Sequence, residues 1–378
     1  MKDIILPEHM KYAPTVFAIK DTYQIFAVID ASATFWVEIG GVKYYDESNG
    51  IMRSETPVHR VEVPMKALDE AKKYTTVFRL YPDRQPYYPQ GSEPYETEFE
   101  FRPVPPEKKK INILQISDTH NLTAEPIAFS DKWRDDTDIL VLNGDIPDSS
   151  ATAEHILAVF AISGGVTRGM IPTVFSRGNH DTRGLCAEEF ERYTPTRNGL
   201  TYYSFRCGGL WGLVLDCGED KDDASVEYGG TICMHGFRLR ETEYIKRIIA
   251  DSENEYAAPD VNHVVVICHI PFTYIDHAPF NIENEIYSEW SEMMRDSVKP
   301  EVMIYGHMHR AEIWRKGGEN DHRGQCADAV IGGIPFHKNE KRDADFIGAM
   351  IELGEEKGAP IRVTFSDSKG QTTGEGVI

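Results

Sequence analysis

No stretch of the chain approaches the roughly 20 consecutive apolar residues that a membrane span requires, so the sequence reads as that of a soluble protein. Its opening, Met1-Lys2-Asp3-Ile4-Ile5-Leu6-Pro7-Glu8, places no long apolar run behind the lysine. That argues against a secretory signal and for a cytoplasmic address. Cysteine is scarce: six in 378 residues, at 186, 207, 217, 233, 268 and 326. None forms a C-x-x-C pair, which excludes a zinc knuckle and a disulfide framework and leaves reduced, mostly buried thiols. Positive charge is also in short supply. With 40 Lys+Arg against 61 Asp+Glu the formal charge is −21. A surface that acidic repels long nucleic acids, whose binding rests on Lys and Arg contacts to phosphates. A small phosphate ester is still admissible where metal ions set the local field.

A chain of this length suits two domains, and the pattern changes once along it. Residues 1–106 carry short segments rich in β-branched and aromatic residues: Thr22–Ile29, Thr34–Ile39, Val58–Val63, Thr75–Tyr81 and Tyr95–Phe101. Turn signals at Gly40-Gly41, Ser48-Asn49-Gly50 and Pro89-Gln90-Gly91 separate them. This spacing predicts an all-β sandwich of immunoglobulin or fibronectin type. It holds no catalytic constellation; His9 and His59 read as structural. The stretch Arg102-Pro103-Val104-Pro105-Pro106-Glu107-Lys108-Lys109-Lys110 reads as a stiff, solvated boundary.

Residues 107–378 alternate short apolar runs with helical stretches, which predicts an α/β domain. Expected strands are Ile111–Ile116, Ile139–Leu142, Thr173–Phe175, Leu213–Leu215, Val264–Cys268 and Val302–Tyr305, with a late edge strand at Ile361–Phe365. Expected helices are Ala153–Ile162, capped by Thr152, and Glu188–Tyr193, Glu241–Ala250 and Ser288–Ser297. The tail after Asp367 is polar and glycine-rich and is expected to be loose.

Five of these strands lead straight into metal-ligand chemistry. The first leads to Asp118-Thr119-His120 and the second to Asn143-Gly144-Asp145. The third leads to Gly178-Asn179-His180-Asp181, the fifth to His269, and the sixth to Gly306-His307-Met308-His309. Ligands of open α/β sheets bind beyond the carboxyl ends of the strands, so five such clusters converge. Gly144, Gly178 and Gly306 each precede an expected ligand, where a positive φ would turn the strand end inward. Carboxylate and imidazole without thiolate suit Zn, Mn or Fe. Seven donors exceed one tetrahedral site and suit two divalent ions sharing a carboxylate, a pair that stabilises both attacking and leaving oxygens of an in-line displacement.

In this order the motifs Asp118-Thr119-His120, Gly144-Asp145, Gly178-Asn179-His180-Asp181, His269 and Gly306-His307-Met308-His309 resemble those of the calcineurin-like metallophosphoesterase superfamily. The resemblance implies an α/β/β/α sandwich. It implies a first metal on Asp118, His120 and His309, and a second on Asn179, His269 and His307. Asp145 would be shared between them. It further implies a metal-bridging hydroxide as nucleophile, His180 beside the phosphate, and Asp181 or Asp148 orienting that imidazole. The β-domain ahead of it is similar in arrangement to purple acid phosphatases. That branch, however, has a tyrosine ligand three residues after the shared aspartate, where this chain has Asp148, and lacks the histidine found here at His120. The strongly coloured tyrosine–iron site should therefore be missing.

The expected function is hydrolysis of a small phosphomonoester or phosphodiester. The alternatives are a scaffold of the same fold that has lost turnover, and a nuclease or protein phosphatase. Arg177 and Arg183 are candidates either for a phosphate clamp or for a structural ion pair. His235, His277 and His337 lie in loops near the motifs and are weaker candidates for contact with the site. The irregular stretch Asp216–Arg238, with Tyr274–Tyr287, is expected to shape the pocket.

Overall fold

A computed structural model describes residues 4–333 and 345–378 of the chain. His337 falls outside them. The N-terminal strands are β1 (Thr15–Ile19), β2 (Thr22–Val28), β3 (Ala33–Ile39), β4 (Val42–Tyr45), β5 (Glu47–Ser48), β6 (Ile51–Met52), β7 (Val58–Pro64), β8 (Lys73–Leu80) and β9 (Tyr95–Glu100). Then follow β10 (Asn112–Ile116), β11 (Ile139–Asn143), β12 (Pro172–Ser176), β13 (Tyr203–Cys207), β14 (Leu210–Leu215), β15 (His263–Cys268) and β16 (Val302–Tyr305). The last are β17 (Glu312–Trp314), β18 (Ala329–Ile331), β19 (Ile347–Glu352), β20 (Arg362–Asp367) and β21 (Thr372–Val377).

Two large sheets organise the chain. One runs β21-β20-β19-β10-β11-β12-β1-β2-β7 and the other β13-β14-β15-β16-β18-β17. Strand alternation assigns the layers. Ile113, Val141 and Val174 of the first sheet share one core with Val214, Val265 and Ile304 of the second. The opposite faces carry Leu114, Leu140 and Phe175, packed with Ile156, Phe160 and Val166 of the helical stretch that follows Thr152. On the far side Trp211, Leu213 and Val266 pack with Ile245 and Trp290 of the helices Met234–Ala250 and Asn284–Met293. The result is helix, sheet, sheet, helix, the layering expected. Strands buried on both faces read as continuous apolar runs, and so β10, β11 and β15 were visible in the sequence.

The N-terminal region is β-rich as expected, with a second sheet β4-β3-β8-β9. β5 and β6 pair as a small hairpin, and β1, β2 and β7 extend the first large sheet. β1 pairs in parallel with β12, Val16 opposite Pro172 and Phe17 opposite Thr173. The stretch at 102–110 is packed rather than free: Val104 is buried and the Arg102 guanidinium donates to the carbonyls of Asp135 and Thr137. Hydrogen bonding and core thus cross the boundary expected near residue 106. A fragment starting at Lys108 would expose the β12 edge and strip Phe17 and Phe26 from Phe160. We expect that fragment to be insoluble or to lack near-ultraviolet circular dichroism; a cooperative, soluble fragment would refute the continuity of the sheet.

Two local expectations fail. Thr152 stands at the N-cap, but its hydroxyl makes no capping bond. The tail is not loose, because β21 pairs antiparallel with β20 from Arg362 opposite Val377 to Ser366 opposite Thr372. Among the described residues no helix is long and apolar enough to cross a membrane.

Candidate metal centre

β10, β11 and β12 run parallel, as do β14, β15 and β16, so their carboxyl ends lie together. All seven expected ligands follow such ends. Donor atoms of Asp118, His120 and His309 lie within 4.8 Å of one another, and so do those of Asp145, His269 and His307. Asn179 joins the second group, its Oδ1 2.9 Å from His307 Nδ1.

The backbone is bent to achieve this. Asp118, His120, Asp145, His307 and His309 all take positive φ, between 44° and 66°. Such conformations cost non-glycine residues on the order of 1 kcal/mol or more each and persist only where the surroundings enforce them. The glycines act differently from the expectation. Only Gly144 has a positive φ, +76°. Gly178 and Gly306 provide close approach: a Cβ at Gly178 would sit 2.2 Å from Asp145 Oδ1, and one at Gly306 2.8 Å from His269 Nδ1.

His269 shows most clearly what the cluster is built for. Its Nδ1 lies 2.7 Å from the Asn143 carbonyl, an acceptor only, so Nδ1 carries the proton. Nε2 then presents its lone pair to Asp145 Oδ2 at 3.2 Å and Asp118 Oδ1 at 3.8 Å. It is buried and has no hydrogen-bond partner of acceptable geometry. Lone pairs facing lone pairs are tolerable only with positive charge between them. In the free protein a second proton plays that part. Burial alone would depress the imidazole, but Asp145 and Asp118 together hold it up at about 10. Asp145 responds in the opposite sense: against burial, His269 holds its carboxyl far below the usual range. Burial pushes Asp118 up to about 7. His120 and His307 are driven down by burial to about 4 and so offer neutral nitrogens. His120 Nε2 lies 3.2 Å from His309 Nε2, two ligand-type nitrogens converging on one point. The donor set fits divalent cations of the Mn, Zn or Fe kind.

Around this core some assignments change. Asp181 does not orient His180. Its buried carboxyl accepts the backbone N–H groups of Gly178 and Asp145, so it braces two ligand loops from beneath. The His180 ring is held instead by the backbone carbonyl of Asp148, 2.9 Å from Nδ1. The Asp148 carboxylate is nearer His120, with Oδ1 3.4 Å from its Nδ1. Since position 148 is not tyrosine, iron-loaded protein should lack an intense tyrosinate charge-transfer band. A strong visible band that vanishes on replacing a nearby tyrosine would contradict this.

Arg177 forms the structural ion pair, Nε 2.7 Å from Asp216 Oδ2. Arg183 does more. Buried Glu219 takes its Nε and Nη2, leaving Nη1 to lie 3.3 Å from His180 Nε2. His235 pairs with Glu283 and His277 with Asp276, and neither joins the ligand clusters found among the described residues. Both expected loops do reach the centre: a cleft beside His307 and Met308 is lined by Asp220, Tyr274, Phe280 and Tyr287. Ser117 and Glu219 were not foreseen. Ser117 Oγ lies 2.7 Å from Asp118 Oδ2, and neither residue belongs to a periodic pattern that would mark it. A cavity of about 940 Å³ lies elsewhere; Lys72, Val104, Arg206 and Asn262 line it, before the starting ends of β14 and β15, and no expected ligand does.

The sequence profile of the calcineurin-like phosphoesterases matches residues 111–311. A protein of Fibrobacter succinogenes described as a probable cyclic nucleotide phosphodiesterase is 23% identical over 248 residues, covering 57% of this chain and 92% of that one. Among solved structures, a purple acid phosphatase from yellow lupin (Lupinus luteus) seeds superposes with a TM-score of 0.62 at 14% identity, over 97% of this chain and 74% of that one. PhoD superposes with a TM-score of 0.51 at 10% identity, over 99% and 90%. At these identities the likeness to the two structures is one of fold.

Proposed function

The chain belongs to the calcineurin-like phosphoesterase family, and from that premise we propose that it hydrolyses a small phosphomonoester or phosphodiester at a binuclear centre. One divalent ion would be held by Asp118, His120 and His309 and another by Asn179, His269 and His307, with Asp145 available to both. The observation that carries this reading is His269 Nε2, buried, without a hydrogen bond of acceptable geometry, and aimed at two carboxylates. When bound, the ions supply Lewis acidity and a water nucleophile usable near neutral pH.

The protein's own groups do the rest. Asp145 Oδ1 accepts the His180 backbone N–H at 2.8 Å, so the residue facing substrate is tied to the shared carboxylate. Arg183, its charge fixed by Glu219, offers Nη1 to a phosphoryl oxygen. His180 Nε2 delivers a proton to the leaving oxygen. In the free protein Arg183 Nη1–H donates to His180 Nε2, and substrate would come between them. The cleft of Tyr274, Phe280 and Tyr287 receives the leaving group. The cytoplasmic address and a small substrate belong to the same proposal.

The test is a screen of mono- and diesters with protein loaded with Mn²⁺, Zn²⁺ or Fe²⁺. The description of the Fibrobacter relative puts cyclic nucleotides first among the diesters. Turnover that depends on added metal supports the reading. If no ester turns over with any of these ions, the scaffold alternative replaces it.

A further inference from the structure

β14 and β15 are adjacent parallel strands in which Leu215 lies opposite Cys268. Side chains alternate along both. Leu213, Leu215 and Cys217 therefore share an outward face with Val264, Val266 and Cys268, under the helices Met234–Ala250 and Asn284–Met293. The alternation brings two thiols together: Cys217 Sγ lies 3.3 Å from Cys268 Sγ, and both residues are buried. It also sends the next residue after Cys268, His269, to the opposite side, toward Asp145.

We propose that Cys217 and Cys268 form a reversible disulfide under hydroperoxides, and that its closure displaces His269 from the metal centre. The coupling rests on the reading of His269 as a metal ligand given above; the cross-link itself does not. A disulfide needs its sulfurs at about 2.05 Å, so the pair must close by more than 1 Å. Cys217 has little room to travel, because its carbonyl accepts Arg238 Nε–H at 2.8 Å and that guanidinium is buried. Much of the movement must fall on Cys268, which shares a peptide bond with His269. Metal–ligand distances tolerate only about 0.2 Å.

The chemistry has a route and a balance. Cys217 Sγ lies 3.6 Å from the carbonyl of Ile270, and Ile270 and Tyr287 line the cleft beside His307. Cys217 lies behind that wall, and we assign to it the first contact with a hydroperoxide. The Cys268 sulfur, 3.3 Å away, is then the resolving partner. In the first step the Cys217 sulfur takes one peroxide oxygen and becomes a sulfenic acid, and water leaves. In the second the Cys268 sulfur displaces that hydroxyl, which departs with the Cys268 proton as water. Two thiols are oxidised and one hydrogen peroxide is reduced to two waters. The contact distance gives the second step a high effective molarity.

The experiment treats full-length, zinc-loaded protein with hydrogen peroxide, removes the oxidant, blocks remaining thiols under denaturing conditions and maps the peptides. We expect a Cys217–Cys268 cross-linked peptide, released zinc and a fall in turnover of about 10²-fold, the usual result of a 1 Å misplacement. Dithiothreitol with added zinc should restore activity. Cys217→Ser, or Cys217→Ala should the serine variant not fold, should keep both zinc and turnover through the same treatment. Alkylation of both Cys217 and Cys268 after peroxide would overturn the proposal. So would a cross-link that leaves zinc in place, or equal inactivation of the Cys217 variants. If the reduced wild-type protein hydrolyses no ester, the functional reading fails, but the peptide map and the zinc content still decide this one.

Discussion

Asp145→Asn should lose metal at both positions together and lower turnover by on the order of 10³-fold, beyond the 10–100-fold typical of outer-shell changes. Asp145 stands against both clusters. Its Oδ2 lies 3.2 Å from His269, and its charge acts on His120 in the other group. Asparagine keeps the volume and one oxygen but removes the charge that balances His269. In the free variant, His269 should also lose much of the stabilisation of its second proton. The fold should survive, because the Asp145 backbone N–H still reaches Asp181 and its carbonyl still accepts from His120. Metal analysis after gel filtration checks the result. Loss of only one ion would show that Asp145 is not shared.

His180→Ala should leave metal content nearly intact and slow hydrolysis by about 10²–10⁴-fold, the contribution of a positioned acid. The loss should be greatest for alkyl esters, whose leaving oxygen needs a proton most, and least for nitrophenyl esters. His180 lies beside the centre without joining either ligand group: its ring meets His120 edge-on at 4.6 Å, and Asp148 and Arg183 hold its nitrogens. Equal losses for both ester types would mean that His180 acts on the phosphoryl oxygens, with Arg183 as its partner. No loss for either would make His180 a bystander to the chemistry.

The candidate metal centre was legible because its chemistry is local. Each candidate ligand stands within a few residues of the end of an apolar run, and parallel strands bring such ends together without further instruction. What surrounds the ligands was harder to read. Asp181 follows His180 directly, yet the tight turn His180–Thr182 rotates it into the interior, where it meets backbone N–H groups rather than an imidazole. Glu219 lies in an irregular stretch, so nothing in its sequence neighbourhood signals that it will meet Arg183. β19 was missed because Gly348 and Ala349 dilute its pattern; the glycine is needed because a Cβ there would lie 2.4 Å from the Phe129 ring. β1 was missed for another reason. Its five residues are buried throughout, as in β11, but it lies in a region read as a separate sandwich, and its parallel partner β12 lies some 150 residues away in the chain. The sandwich pattern of residues 1–106 is local, whereas the sheet that absorbs β1, β2 and β7 is set by a long-range pairing no local pattern encodes.

The most direct test is anomalous diffraction at the manganese edge from crystals grown with Mn²⁺. The account predicts two peaks roughly 3.5–4 Å apart. One would lie among Asp118, His120 and His309, the other among Asn179, His269 and His307, with an oxygen of Asp145 reaching each. A single well-occupied peak, or two peaks with the Asp145 carboxylate turned away from one of them, would contradict it.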